Sequence, residues 1–345
     1  MPAPSKKPLT ILKPENLRSL AEQVFESRGV PKADAATVAD ILIEANLRGH
    51  DSHGVIRIPK WVVGLDCGAL KAECNPIVIR DKGSTAMMHG DRGLGPVVAR
   101  QATSLVLQKA KEFGIGLVSV RKASHVGILQ YYSEWLAENG VIGIVMTNTE
   151  SGVAPFGSRQ PILGTNPLTI AVPSAGKPYL VDMSTSVVAR GKIVNALERG
   201  ESIPEGWAVD KDGKPTTDPA AALAGALLPA GGPKGSGLAI MIDLLTGALS
   251  GGSVGTKVGG TMNTDQEITK GDMFMAIDPG AVGSLERYVT CVEELAAEIH
   301  GSKPAPGVKN VLMPGEFERA AKKDRLKNGI AVPNDLLAEI RKLAK

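Results

Sequence analysis

The stretch GLVSVRKASHVGILQYYSEWLAENGVIGIVMTN, residues 116–148, decides the fold class. Its two apolar runs, GLVSV (116–120) and VIGIVMTN (141–148), are rich in β-branched residues and bounded by turn formers, as strands are. A helical stretch over about 128–139 lies between them. Strand, loop, helix and strand in so short a span is an α/β pattern. The pattern extends outward in both directions. TAMMHG (85–90), LTIAV (168–172), YLVDM (179–183) and MFMAID (273–278) read as further strands, and several are continuous apolar runs of the kind covered on both faces. Helical stretches near 95–113, 186–199 and 234–250 alternate with them, and an amphipathic segment carries Leu285, Val289, Val292, Leu295 and Ile299 on one stripe.

The chain ends read differently. Leu17, Leu20, Ala21, Val24 and Phe25 form one helical stripe, a second helix runs from Pro31 to about Leu47, and the tail from 301 returns to loop and helix. The expected architecture is therefore an α/β unit with a mixed sheet over 76–300, beside a separate helical domain from 1–75 plus 301–345. A chain of 345 residues exceeds what one core usually organises, which agrees with two domains. Dinucleotide binding, if present, does not use the Rossmann fingerprint: no G-x-G-x-x-G occurs, and GDRGLG (90–95) has the wrong spacing.

Composition narrows the function classes. The net charge is +3 with no basic block interleaved with aromatics, so nucleic acid is not an expected partner. MPAPSKKPLT lacks the apolar core of a signal peptide, and no run approaches a membrane span. Cys67, Cys74 and Cys291 form no CxxC pair and read as reduced thiols of a cytoplasmic protein. The 40 glycines and 23 prolines suit either tight turns around a phosphate-bearing ligand or ordinary irregular loops.

Chemistry concentrates in RGHDSHGVIR (48–57). His50, His53 and Asp51 permit a metal reading, but HExxH is absent and two arginines oppose a cation, so no metal is expected. Arg57 and Ser52 suit a carboxylate, and His53 beside them suits proton transfer. A helix-end cluster of surface charges accounts for the same residues. His125 lies between a strand and a helix, where loops carry catalytic groups; alternatively Ser124 caps the following helix and His125 is incidental. His89 and His300 read as structural. Three segments suit phosphate or cofactor contact: APFGSRQPILGTNPL (154–168), VDMSTSVVARGKI (181–193) and LLPAGGPKGSGLAI (227–240). In the second, a helix start with Arg190 and Lys192 can hold a phosphate, or Ser184 to Ser186 simply cap it. In the third, Lys234 heads an apolar helix after a run of glycines.

Taken in order, DSHGVIR, GPVVARQA, SHVGILQYY, GIVMTN, APFGSRQPILGTNPLTIAVP, DMSTSVVARGKI, IPEGWAVDKDGKPTTDP, LLPAGGPKGSGLAIMIDLL and VLMPGE resemble the type-2 malate/L-lactate dehydrogenase family over roughly residues 10–320. Relatives in it include L-sulfolactate and ureidoglycolate dehydrogenases, diketogulonate reductase and Δ1-piperideine-2-carboxylate reductase. The resemblance implies NAD or NADP on a non-Rossmann fold and a homodimer acting on a small 2-oxo or 2-hydroxy acid. It implies His53 and His125 as catalytic groups, and Ser52 and Arg57 as substrate ligands. It also implies cofactor contacts at Thr149, Asp182, Met183, Ser184, Lys234, Gly235, Pro314, Gly315 and Glu316, while Arg190 joins them from its place at the helix start. The family's DMATS is DMSTS here and KGYG is KGSG. The arginine that some relatives carry within 255–273 is absent.

The expected reaction moves a hydride between the nicotinamide and the substrate's C2 while His125 or His53 handles the proton. Reduction of a cyclic imino acid needs the same hydride but protonates nitrogen. A metal-dependent hydrolase using His50, His53 and Asp51, and a non-catalytic binding protein, are the readings from other classes.

Overall fold

The computed structural model describes residues 8–345; most of the MPAPSKKPLT segment lies outside the described residues. The chain opens with β1 (Leu9–Leu12), α1 (Pro14–Glu26) and α2 (Lys32–Leu47). Pro14 starts α1, where its missing N–H costs nothing, and the expected stripe of Leu17, Ala21, Val24 and Phe25 is buried. After α2 come two single-turn segments at 51–53 and 55–57, then α3 (Ile58–Asp66).

β2 (Ile77–Lys82), β3 (Thr85–Gly93), α4 (Gly95–Phe113), β4 (Ile115–Ala123), α5 (Gln130–Glu138), β5 (Ile142–Thr147), β6 (Leu168–Val172) and β7 (Tyr179–Met183) follow. Next are α6 (Arg190–Arg199), β8 (Ala208–Val209), α7 (Pro219–Ala224), β9 (Ala226–Leu227) and α8 (Pro233–Asp243), which continues as a π-helical turn to Ala248. The chain closes with β10 (Gly271–Ile277), α9 (Pro279–Val282), α10 (Leu285–Gly301), α11 (Glu316–Asn328), β11 (Ile330–Pro333) and α12 (Asn334–Leu343).

Seven strands make one mixed sheet in the order β2-β3-β4-β10-β5-β6-β7. Only β3 and β4 run parallel within it, joined by the crossover helix α4. Both faces are covered, as the apolar runs require. Val98, Ala102 and Val106 of α4 and Leu136 of α5 pack on Val118, Val120, Val145 and Phe274. On the other face Ile242 of α8 meets Met146 and Met273. A third cluster gathers Val153, Leu163, Ile193, Ile203, Leu227 and Ala239, a division that the sequence does not announce.

Residues from both chain ends share one core: Leu17, Phe25, Leu42 and Trp61 pack with Ile330, Val332, Leu337 and Ile340, and β1 pairs antiparallel with β11. Helix α2 is apolar on nearly every side because it is sandwiched. Val38, Leu42 and Ile43 belong to this end-built core, whereas Ile41 belongs to the sheet core. Its C-terminal end therefore emerges at the seam between the two, and that end leads into RGHDSHGVIR. The stripe on α10 has a different fate: Leu295 is 53% exposed and Ala296 is the helix's buried residue.

Candidate active site

The loop after α2 is shaped by Asn46, a side chain only 3% exposed. Its Oδ1 accepts the Val55 N–H at 2.9 Å and its Nδ2 donates to Asp51 Oδ1 at 2.7 Å. A Cβ on Gly54 would lie 2.2 Å from Asn46 Oδ1, so glycine is required there. The fold-back presents Ser52, His53 and Arg57 on one loop. Ser52 Oγ and His53 Nδ1 are 2.9 Å apart, and Arg57 Nε donates to the Ser52 carbonyl at 2.9 Å.

The second loop follows β4. Its Gly127 (φ +83°) turns the chain so that its N–H donates to His125 Nδ1 at 3.1 Å. With Nδ1 accepting, the neutral ring carries its proton on Nε2 and is a donor there. Ser124 does not cap the following helix: its Oγ accepts the Gly95 N–H at 2.8 Å, at the start of α4. The first N–H of α5, on Gln130, goes instead to Asp182 Oδ2 at 3.1 Å. The two loops converge. The His53 and His125 ring centres are 5.3 Å apart, and Trp61 of α3 stands 6.3 Å from His125.

The surroundings keep both imidazoles neutral. Burial, then the Arg57 charge, then the neighbouring imidazole His50 hold His53 down at about 3. Burial, Arg57, His53, Lys270 and Lys60 hold His125 well below the usual histidine range. Burial likewise lowers Arg57, against the opposing pull of Glu150.

Three of these neighbours were not singled out in the sequence. Lys270 is 1% exposed, ion-paired with the equally buried Asp272 at the start of β10. Lys60 lies one helical turn beyond Arg57, and its Nζ donates to the Met262 carbonyl at 3.3 Å. Glu150 Oε1 accepts the N–H groups of Thr261 and Met262, both at 2.8 Å, which pins that stretch against the site. A lone Lys or Glu carries no sequence pattern by which it could be singled out.

The residues expected to meet a cofactor form a connected wall. Thr149 Oγ1 accepts the Thr165 N–H at 3.0 Å, the Thr165 carbonyl accepts Thr185 N–H at 2.9 Å, and the Thr185 carbonyl accepts Ala230 N–H at 2.9 Å. The Ala230 carbonyl in turn accepts the Gly235 N–H at 2.9 Å, beside exposed Lys234 in the first turn of α8. Leu180 N–H donates to the Pro314 carbonyl at 3.2 Å, setting Pro314, Gly315 and Glu316 alongside β7 and hence near Asp182, Met183 and Ser184. Glu316 Oε2 is 3.0 Å from His300 Nε2, so that histidine has a partner as well as a helix end.

Helix α6 begins at Arg190 rather than 186, and its start is not capped by serine. Ser184 Oγ turns to Ser186 and Thr185 ties to Thr165, so these residues form a strap instead. Gly191 packs on the loop of Ser52 and His53, where a Cβ would meet Ser52 Cβ at 3.2 Å, and a Cβ on Gly152 would meet an Arg190 terminal nitrogen at 3.7 Å.

These residues fit a dinucleotide. Helix α6 has no side-chain cap, so its start at Arg190 suits phosphate oxygens, whereas the first N–H groups of α8 are taken by the Gly231, Ala230 and Gly232 carbonyls and Lys234 there offers its side-chain charge. Gln130, fully buried next to Asp182, has both amide atoms without a protein partner. Asp51 is engaged by Arg325 at 2.6 Å, and among the described residues no three His, Cys, Asp or Glu side chains gather as a metal set.

Comparison with known proteins gives a consistent result. Residues 12–341 match the family model described as malate/L-lactate dehydrogenase. The chain is 45% identical to L-sulfolactate dehydrogenase of Methanocaldococcus jannaschii, covering 96% of each. It is 35% identical to ureidoglycolate dehydrogenase (NAD(+)) of Escherichia coli O157:H7, covering 93% of this chain and 92% of that one. It is 33% identical to (2R)-3-sulfolactate dehydrogenase (NADP(+)) of Chromohalobacter salexigens, covering 94% and 96%. Among solved structures, the sulfolactate dehydrogenase from Methanocaldococcus jannaschii superimposes with a TM-score of 0.93 at 44% identity, covering 97% of this chain and 96% of that one. Δ1-Piperideine-2-carboxylate reductase from Pseudomonas syringae gives 0.86 at 30% identity, covering 97% and 99%.

Proposed function

The chain belongs to the malate/L-lactate dehydrogenase family, and on that premise we propose that it interconverts a small 2-oxo acid and its 2-hydroxy acid with NAD(P)H as the reductant, with a substrate of the malate or sulfolactate type. The observation that carries this reading is the convergence of His53 and His125, at 5.3 Å, inside a field of cations. Arg57 and Lys60 both act on His125 and outnumber Glu150, which faces them, while Lys270 is paired with Asp272. Such a field favours an acid with two anionic groups.

In this scheme Arg57 and Ser52 grip the carboxylate, and Lys60 faces the second anionic group. His125 presents Nε2–H to the substrate oxygen, where negative charge builds during reduction. His53 meets a hydroxyl that can either donate or accept, so it can change tautomer and pass the proton. The dianion entering the site offsets the Arg57 and Lys60 charges and raises the imidazoles' hold on a proton. Thr149, Lys234 and Glu316 line the wall that would hold the dinucleotide, which when bound would supply the hydride.

The finer assignments rest on supporting features. Met241, Leu245 and Leu249, on α8 and its extension, are 51%, 43% and 49% exposed, an apolar face suited to a second copy of this chain in a homodimer. The cysteines Cys67, Cys74 and Cys291 are all free, in keeping with a reducing cytoplasm. No described helix is long and apolar enough to cross a membrane. The core shared by the two chain ends supports a helical domain from 1–75 and 301–345, with a cofactor-binding α/β domain over 76–300.

The test is a panel of pyruvate, oxaloacetate, sulfopyruvate and Δ1-piperideine-2-carboxylate, each with NADH and NADPH, followed by loss of the reduced nicotinamide absorbance. Fastest turnover with oxaloacetate or sulfopyruvate is expected. Preference for the cyclic imine would convert the proposal to an imino-acid reductase, and no turnover with any of them would overturn it.

A further inference from the structure

Helix α11 is 13 residues long, about 20 Å at helical rise. Its first turn touches the cofactor wall. Besides the Leu180–Pro314 bond, Arg319 Nη1 donates to the Pro178 carbonyl at 2.7 Å, and Gly315 (φ +90°) lies so close to β7 that a Cβ would meet Leu180 Cγ at 3.1 Å. Its last turn touches the catalytic loop. Arg325 grips Asp51 with both terminal nitrogens, at 2.6 and 3.0 Å, and also donates to the Asn46 carbonyl. Between these ends, Lys322 Nζ sits 2.7 and 2.8 Å from the two Glu44 oxygens. Glu318, Lys322 and Arg325 follow the i, i+4, i+7 spacing of a single helix face, and Glu318 acts on both His50 and Asp182.

The contacts close a frame. Glu44 of α2 also holds Arg48 at 3.0 Å, Arg48 is ion-paired with Glu134 of α5, the first N–H of α5 goes to Asp182, and β7 returns to Pro314. Arg48 is 7% exposed, so that crossing is rigid as well as charged. Arg325 is the arm from this frame to the loop of Ser52, His53 and Arg57. Its partner Asp51 is next to Ser52 and is itself held by Asn46, which fixes Val55.

We infer that α11 is a strut that sets the catalytic loop at a fixed position relative to the cofactor wall, and that Arg325 is the positioning residue through which it does so. Arg325 is 27% and Asp51 53% exposed, so the pair adds little to global stability. Its role is geometric: small misplacement of a reacting group is costly to turnover. That role rests on the dehydrogenase reading of the site given above.

The test uses the full-length chain with Arg325→Met, Arg325→Lys, Asp51→Asn and the Arg325→Met/Asp51→Asn double variant. Expected for Arg325→Met is a fall in kcat of tenfold or more, with NADH or NADPH dissociation constants, read by nucleotide fluorescence, within twofold of the parent. Hydrogen exchange should quicken across 50–57 without quickening across 178–184. Asp51→Asn should show the same split, the double variant should add little to either single one, and the lysine should restore part of kcat. Parental kcat and exchange in both single variants would overturn the strut. So would exchange that quickens everywhere together with lost nucleotide binding, which marks a merely structural contact. If the parent chain turns over no 2-oxo acid, the functional reading fails, and the exchange pattern alone decides the strut.

Discussion

The two loops that bring imidazoles together are built on opposite principles. At His125 the partner of Nδ1 is a backbone N–H two residues on, which can only donate, so the protonation pattern of the ring follows from the turn at Gly127. At His53 the partner is the Ser52 hydroxyl, which can reverse its role, and the loop itself is held by side chains from α2 and α11 rather than by a strand end. A backbone partner fixes a role; a hydroxyl partner leaves it switchable. Within the proposed reaction, polarisation of the substrate oxygen falls to His125 and proton passage to His53.

The sharpest way to break that division is His125→Ala. Loss of an aligned donor at the reacting oxygen should lower kcat by roughly 10²–10⁴-fold, with nucleotide affinity retained. Turnover within threefold of the parent would remove His125 from the reaction. Arg57→Met comes next. It deletes a charged hydrogen-bonding group beside Ser52 and should cut kcat/KM by roughly 10–10²-fold, mainly through KM. A fall confined to kcat would mean that Arg57 orients the histidines instead of the acid.

Lys60→Met sharpens the comparison with less force, since Lys60 is exposed and screened. The variant should lose about three- to tenfold in kcat/KM with oxaloacetate or sulfopyruvate, little with pyruvate, and the gap should shrink in high salt. Equal losses on mono- and dianionic acids would show that Lys60 does not read the second anion.

The same contrast explains what the sequence made legible. Ser52, His53, Arg57 and His125 stand in short dense motifs, and the strands around them are apolar runs with clear ends. β2 escaped because all six of its residues are exposed, so IVIRDK lacks the alternation of a half-buried strand. β1 and β11 are four residues each and pair across the whole chain, a contact no local pattern announces. Lys270 and Asp272 reach the site only because β10 inserts between β4 and β5, and Glu150 matters because of what folds against it. The start of α6 was misplaced for a related reason. Serines suggest a cap, but Thr185 has its stronger partner in Thr165, on a loop twenty residues upstream.

The smallest expected effect concerns Asp182, which ties the His125 side of the site to the wall proposed for the cofactor. Burial pushes its carboxyl up to about 6 from the ordinary 3.8, despite the Gln130 N–H that favours the ionised form. Below pH 3.8 the group is neutral in both folded and unfolded chains and costs nothing. Between 3.8 and 6 the folded chain keeps a proton that the unfolded chain has released, so stability falls as pH rises, and above 6 the full cost is present. The substitution Asp182→Asn removes the charge while retaining an oxygen that can accept the Gln130 N–H. That variant should therefore be more stable than the parent at pH 8, by about 1–2 kcal/mol, and raise Tm by about 1–3 °C. The advantage should vanish near pH 4. The lowered histidines act in the opposite sense, since His53 withdraws stability from both proteins as pH falls from 6.5 toward 3, and His125 does so as pH falls below 6.5. Subtracting the two melting curves cancels their contribution. A Tm difference that is the same at pH 8 and pH 4 would mean that the ionisation of Asp182 is not what the fold resists.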